Sequence, residues 1–66
     1  MEIIVNGSRR EISAGSTVTD LLQDLAVEPA TVVVECDKVI IDPGKFATTP
    51  LAAGNQLEII RFVGGG

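Results

Sequence analysis

The side chains that carry most enzyme chemistry are nearly absent from this sequence. Histidine, the commonest general base and a frequent metal ligand, does not occur in the 66 residues, and neither does tryptophan or tyrosine. The one cysteine, Cys36, has no second cysteine to bridge to and no histidine to take its proton. No glycine-rich phosphate loop is found either. What is left is the end of the sequence, where Phe62-Val63 is followed by Gly64-Gly65-Gly66. Glycine has no Cβ, so such a run can thread a channel too narrow for any other residue. Three extended residues reach about 10 Å. The Gly66 carboxylate is a poor electrophile as it stands, but adenylation by ATP would give it a leaving group that a sulfur or nitrogen nucleophile can displace. In that chemistry the protein is a substrate. It has no catalytic residue and no metal of its own, Gly66 is the reacting terminus, and Gly64 and Gly65 thread the partner's active site. The bland alternative is a frayed glycine end with no role.

A reacting terminus needs a body to aim it. Residues 1–5 are apolar and β-prone, Asn6-Gly7 favours a type I′ turn, and residues 8–12 form the returning strand. Ala14-Gly15-Ser16 breaks the pattern. Thr17 then caps a helix, with Asp20 completing a T-x-x-D capping box. Val18, Leu21, Leu22 and Leu25 recur at helical spacing, and the spacing predicts a helix over 18–27, stopped by Pro29. Residues 31–36 form a strand with Val32, Val34 and Cys36 on one face and Val33 and Glu35 on the other. Asp37-Lys38 turns into a short strand over 39–41, and Asp42-Pro43-Gly44 turns again. Residues 45–50 are irregular, with a 3₁₀ turn near Phe46, and a last strand runs over 56–63. One helix covers one face of a sheet, which makes this a two-layer α+β domain. The last strand is expected beside and parallel to the first, pairing Ile3 within residues 57–63. Val5, Leu21, Leu25, Val34, Leu57 and Ile59 are expected in the core, and Cys36 on the core face.

Composition bounds the rest. One domain fits the length, and a 45% apolar, patterned sequence excludes disorder. Nine acidic and five basic residues give a net charge of −4, which argues against nucleic acid. Arg9-Arg10 reads as a solvated strand edge, and Lys38 and Lys45 as solvated turn charges. No apolar run is long enough for a signal peptide or a membrane span, and a lone cysteine fits a reducing compartment, so a cytoplasmic location is expected.

With these residues in view, the sequence resembles the ubiquitin-like sulfur carriers of β-grasp fold, and among them the thiamine-biosynthesis (ThiS) family. The resemblance runs over the whole chain. It rests on Met1-Glu2-Ile3-Ile4-Val5-Asn6-Gly7, on Ala14-Gly15-Ser16-Thr17-Val18 with Leu21-Leu22 and Leu25, and on Val32-Val33-Val34-Glu35. It continues in Thr49-Pro50-Leu51, Gly54-Asn55, Leu57-Glu58-Ile59-Ile60 and Phe62-Val63-Gly64-Gly65-Gly66. Two positions depart from the pattern: Asn55 stands where aspartate is common, and Cys36 where a large aliphatic is common. The resemblance implies a mixed sheet of four to five strands with one crossing helix, a β-grasp domain over 1–63, and a flexible glycine tail over 64–66. It implies that an E1-like adenylyltransferase (ThiF-like), using ATP and Mg²⁺, activates Gly66. A cysteine desulfurase then supplies sulfur, and a thiazole synthase (ThiG-like) consumes the resulting thiocarboxylate. No cofactor is expected on this chain, and the free form is expected to be a monomer.

Strand alternation adds a partner-binding expectation. If Met1, Ile3 and Val5 face the helix, Ile4 faces away; if Leu57 and Ile59 face it, Ile60 and Phe62 face away. No second helix is available to cover them. Ile4, Ile60 and Phe62 are therefore the expected docking face, apart from what the 42–56 loop covers. Three rival readings stay open: the small-subunit carrier of molybdopterin synthase, a modifier joined to lysines through Gly66, and an interaction module with inert glycines.

Overall fold

The computed structural model describes residues 1–62. Five strands and one helix follow in the order β1 (Glu2–Val5), β2 (Ser8–Glu11), α1 (Val18–Asp24), β3 (Val32–Cys36), β4 (Val39–Ile40) and β5 (Gln56–Arg61). The sheet order is β2-β1-β5-β3-β4. β1 and β5 run parallel at its centre, and the other pairings are antiparallel. This is the expected mixed sheet with one crossing helix.

Local chemistry accounts for the elements. Asn6 and Gly7 hold φ of 49° and 83°, and Val5 pairs with Ser8 across them, so both central turn residues are left-handed as a type I′ hairpin requires. Asp37 and Lys38 do the same at φ 49° and 71° between β3 and β4. Thr17 Oγ1 accepts from the Asp20 N–H at 3.2 Å, and an Asp20 carboxylate oxygen accepts from the Thr17 N–H at 2.9 Å, so the capping box is complete.

Several boundaries differ from the sequence expectation. The helix stops at Asp24 rather than at residue 27, and Pro29 is not what stops it. Ala26 takes φ 55°; its N–H donates to the Gln23 carbonyl and the Val27 N–H to the Leu22 carbonyl, a Schellman closure without glycine. Pro29–Thr31 is then a 3₁₀ turn, so β3 begins one residue later than expected. The second 3₁₀ turn spans Pro43–Lys45, just ahead of Phe46. In the parallel pair Ile4 meets Gln56 and Val5 meets Leu57, and the Ile4 N–H donates to the Asn55 carbonyl. Ile3 therefore has no partner within 57–62; the orientation of β5 is as expected and its register is not. β5 ends at Arg61, and Val63 lies outside the described residues.

One apolar cluster holds the layers together. Ile3, Val18, Leu21, Leu22, Val34 and Leu57 are fully buried, with Ile12, Val32, Phe46 and Leu51 nearly so. Val5, Leu25 and Ile59, expected in the core, pack at its edge half-buried. The 42–56 loop closes the helix end of this core. Thr49 and Phe46 carbonyls accept from the Val18 and Thr19 N–H groups, and the Ser16 carbonyl accepts from the Leu51 N–H. Helix donors that would otherwise be orphaned are thereby satisfied, and Phe46 and Leu51 are carried inward.

Candidate functional site

The sheet has a second face that α1 does not cover. Cross-strand partners define it: Ile4 lies opposite Arg9 and Gln56, Glu35 opposite Glu58 and Ile40, and Val33 opposite Ile60. Ile60 and Phe62 are exposed at 47% and 49%, and Ile40 is exposed at the sheet edge, while Ile4 is half-buried. The loop that was a candidate cover packs at the helix end of the core instead. Ile4, Ile60 and Phe62 thus share this face as alternation predicts, and it leads along β5 toward residue 63. Gly64, Gly65 and Gly66 lie outside the described residues.

β5 is positioned by more than its two neighbouring strands. Past the Leu57 pairing, Asn6 continues the ladder with its side chain: Oδ1 accepts from the Ile59 N–H at 2.8 Å and Nδ2 donates to the Ile59 carbonyl at 3.3 Å. One turn residue therefore fixes the outgoing half of β5, where β1 has already ended. Composition flagged Asn6 only as a turn former. The choice of asparagine, with both a donor and an acceptor, is the signal in the sequence for this second task. On the helix side, a recess of about 280 Å³ lies beside Asn6, between Leu25, Val27 and Ile59, with Arg61 at its rim.

The remaining candidate side chains form no reactive group among the described residues. Cys36 packs half-buried against the core on the helix face. Burial pushes its thiol above the ordinary value of 9.0, and the Asp37 carboxylate pushes it further the same way. It is held as a thiol at neutral pH, the poorer nucleophile. Arg9 and Arg10 point to opposite faces and lie near Glu2 and Asp24 at 3.9 and 3.8 Å, so they form no basic patch. Lys38 and Lys45 are exposed in turns. Among the described residues no group of three metal-ligating side chains converges, and no helix is long and apolar enough to cross a membrane.

Known proteins match this chain over its whole length. The ThiS family model matches residues 3–66. A crystal structure of the thiamine biosynthesis protein ThiS from Geobacter metallireducens superimposes with a TM-score of 0.87 at 30% identity, covering all of both chains. A solution structure of a thiamine biosynthesis protein from the same organism gives 0.76 at 32% identity, covering all of this chain and 88% of that one. Two thiazole synthases are also similar across all 66 residues, from Paramagnetospirillum magneticum at 38% identity and from Magnetococcus marinus at 35%. This chain spans about one fifth of the length of each.

Proposed function

The chain belongs to the ThiS family of thiamine biosynthesis, and from that premise we propose that it is a sulfur carrier whose Gly66 carboxylate is the working group. The observation that carries this reading is an exposed face with apolar side chains that follows β5 toward a triple-glycine sequence, on a domain whose one cysteine is half-buried and held as a thiol. An E1-like enzyme, holding ATP and Mg²⁺, adenylates Gly66 and releases pyrophosphate. A persulfide formed by a cysteine desulfurase attacks the acyl carbon, and AMP leaves with one carboxyl oxygen. A further thiol then cleaves the sulfur–sulfur bond, leaving a thiocarboxylate and a disulfide. The chain itself is substrate rather than enzyme, and it works in the cytoplasm.

Each part of the molecule has a task in this scheme. Ile4, Ile60 and Phe62 dock the activating partner, and Gly64 and Gly65 pass through its channel because they bring no side chain. The elevated Cys36 thiol does not compete for the acyl group. The proposed acceptor is a thiazole synthase. The two bacterial synthases support this, since each carries a stretch similar to the whole of this chain.

The test is intact mass after incubation with an E1-like enzyme, ATP, a desulfurase, cysteine and a reducing thiol. Sulfur replacing the terminal oxygen by nucleophilic acyl substitution adds about 16 Da. Adding one bulky residue after Gly66 is expected to abolish the gain while the circular dichroism spectrum is kept. Cys36→Ala is expected to load normally in its folded fraction. Loading of the extended protein would remove the terminus from the mechanism, and loss of loading in folded Cys36→Ala would put the side chain into it.

A further inference from the structure

The exposed face carries a charge pattern that narrows its partner. Glu35 of β3 lies directly opposite Glu58 of β5. Like charges facing each other across two strands destabilise a sheet. Glu2, Glu11 and Asp24 each meet a cation, but among the described residues neither Glu35 nor Glu58 does. Apolar side chains flank the pair on the same face, with Val33 and Ile60 as the next cross-strand pair and Ile40 beside Glu35, while Gln56 lies on the other side of Glu58. Two carboxylates set among apolar groups attract an incoming cation more strongly once a partner excludes water.

We propose that this face docks a partner surface presenting an arginine guanidinium ringed by apolar side chains, with the guanidinium placed across Glu35 and Glu58. The inference deepens the docking role proposed above and rests on it. Arginine suits the site better than lysine. Its planar fork offers five donors, enough to serve two carboxylates, and it is the more weakly hydrated cation. The face's own arginine, Arg9, lies beside Glu2 rather than this pair, and a second copy of the chain, itself of net charge −4, fits poorly as the partner. Phosphate backbones are disfavoured for the same reason. The apolar part of the face supplies contact area, and the glutamate pair selects which apolar surface is accepted.

The experiment measures calorimetric binding to an E1-like adenylating enzyme at low and physiological salt for the wild type, Glu35→Gln, Glu58→Gln and the double variant. Thermal melts and the mass assay run in parallel. The double variant should melt at or above the wild type, because the repulsion is gone. It should bind about tenfold more weakly, with a flatter salt dependence. Wild-type affinity and salt dependence in the double variant would overturn the inference, as would a clearly lower melting temperature. Glutamate-dependent binding without any mass gain would sink the sulfur-carrier reading and leave this inference standing. Mass gain with glutamate-independent binding would do the reverse, and absence of binding would sink both.

Discussion

Asn55 is tied on both sides. Its Nδ2 donates to Asp37 Oδ2 at 2.8 Å and its Oδ1 accepts from the Ala52 N–H at 2.6 Å, while the other Asp37 oxygen accepts from the Gln56 N–H at 2.9 Å. The side chain thus locks the turn before β5 to the turn after β3. This accounts for asparagine at this position: a carboxylate here would face Asp37. Asn55→Asp is expected to cost about 1–2 kcal/mol, because a donated hydrogen bond becomes a contact between two acceptors. The melting temperature should fall by about 4 °C or more. An unchanged melting curve at neutral pH would mean that the Asp37 contact contributes nothing. Cys36 fills its place at the core edge half-buried.

At the scale of elements, α1 ends on an unfavourable residue. Ala26 occupies the left-handed position of the Schellman closure, where a Cβ is disfavoured and glycine is usual. Ala26→Gly is therefore expected to stabilise the domain by about 0.5–1 kcal/mol, read as a higher melting temperature with an unchanged spectrum. A drop would show that the closure does not depend on that angle. The same residue explains what the sequence could not show. Val18, Leu21, Leu22 and Leu25 announce the helix and Thr17 its start, but alanine is the best helix former and gives no sign of a stop. Phe46 and Leu51 stand alone in a polar loop, with no periodicity to mark them as core. The register of β1 against β5 depends on contacts between residues about fifty positions apart, which no local pattern encodes. The exposed side of β5 was legible, because alternation alone separates Ile60 and Phe62 from Leu57 and Ile59. The Glu35–Glu58 juxtaposition became visible only once the register of β3 against β5 was known.

For the molecule as a whole, β5 is both the last strand in sequence and the middle strand of the sheet. It separates β1 from β3, and Leu57 is the last fully buried side chain among the described residues. Removing 64–66 is expected to leave the melting temperature unchanged, while removing everything after Asn55 should abolish cooperative melting. A large loss of stability from the three-residue deletion would show that the glycines pack against the domain. The central place of β5 also has a consequence for synthesis. A chain that stops before residue 56 has at most two separate hairpins, β1 with β2 and β3 with β4, and no strand to join them. The domain cannot close until β5 has left the exit tunnel, and the tunnel is longer than the five residues that separate Arg61 from Gly66, so closure follows their synthesis. Folding thus depends on the last strand: a chain cut short before β5 has no assembled face to offer a partner, and it remains open to proteases.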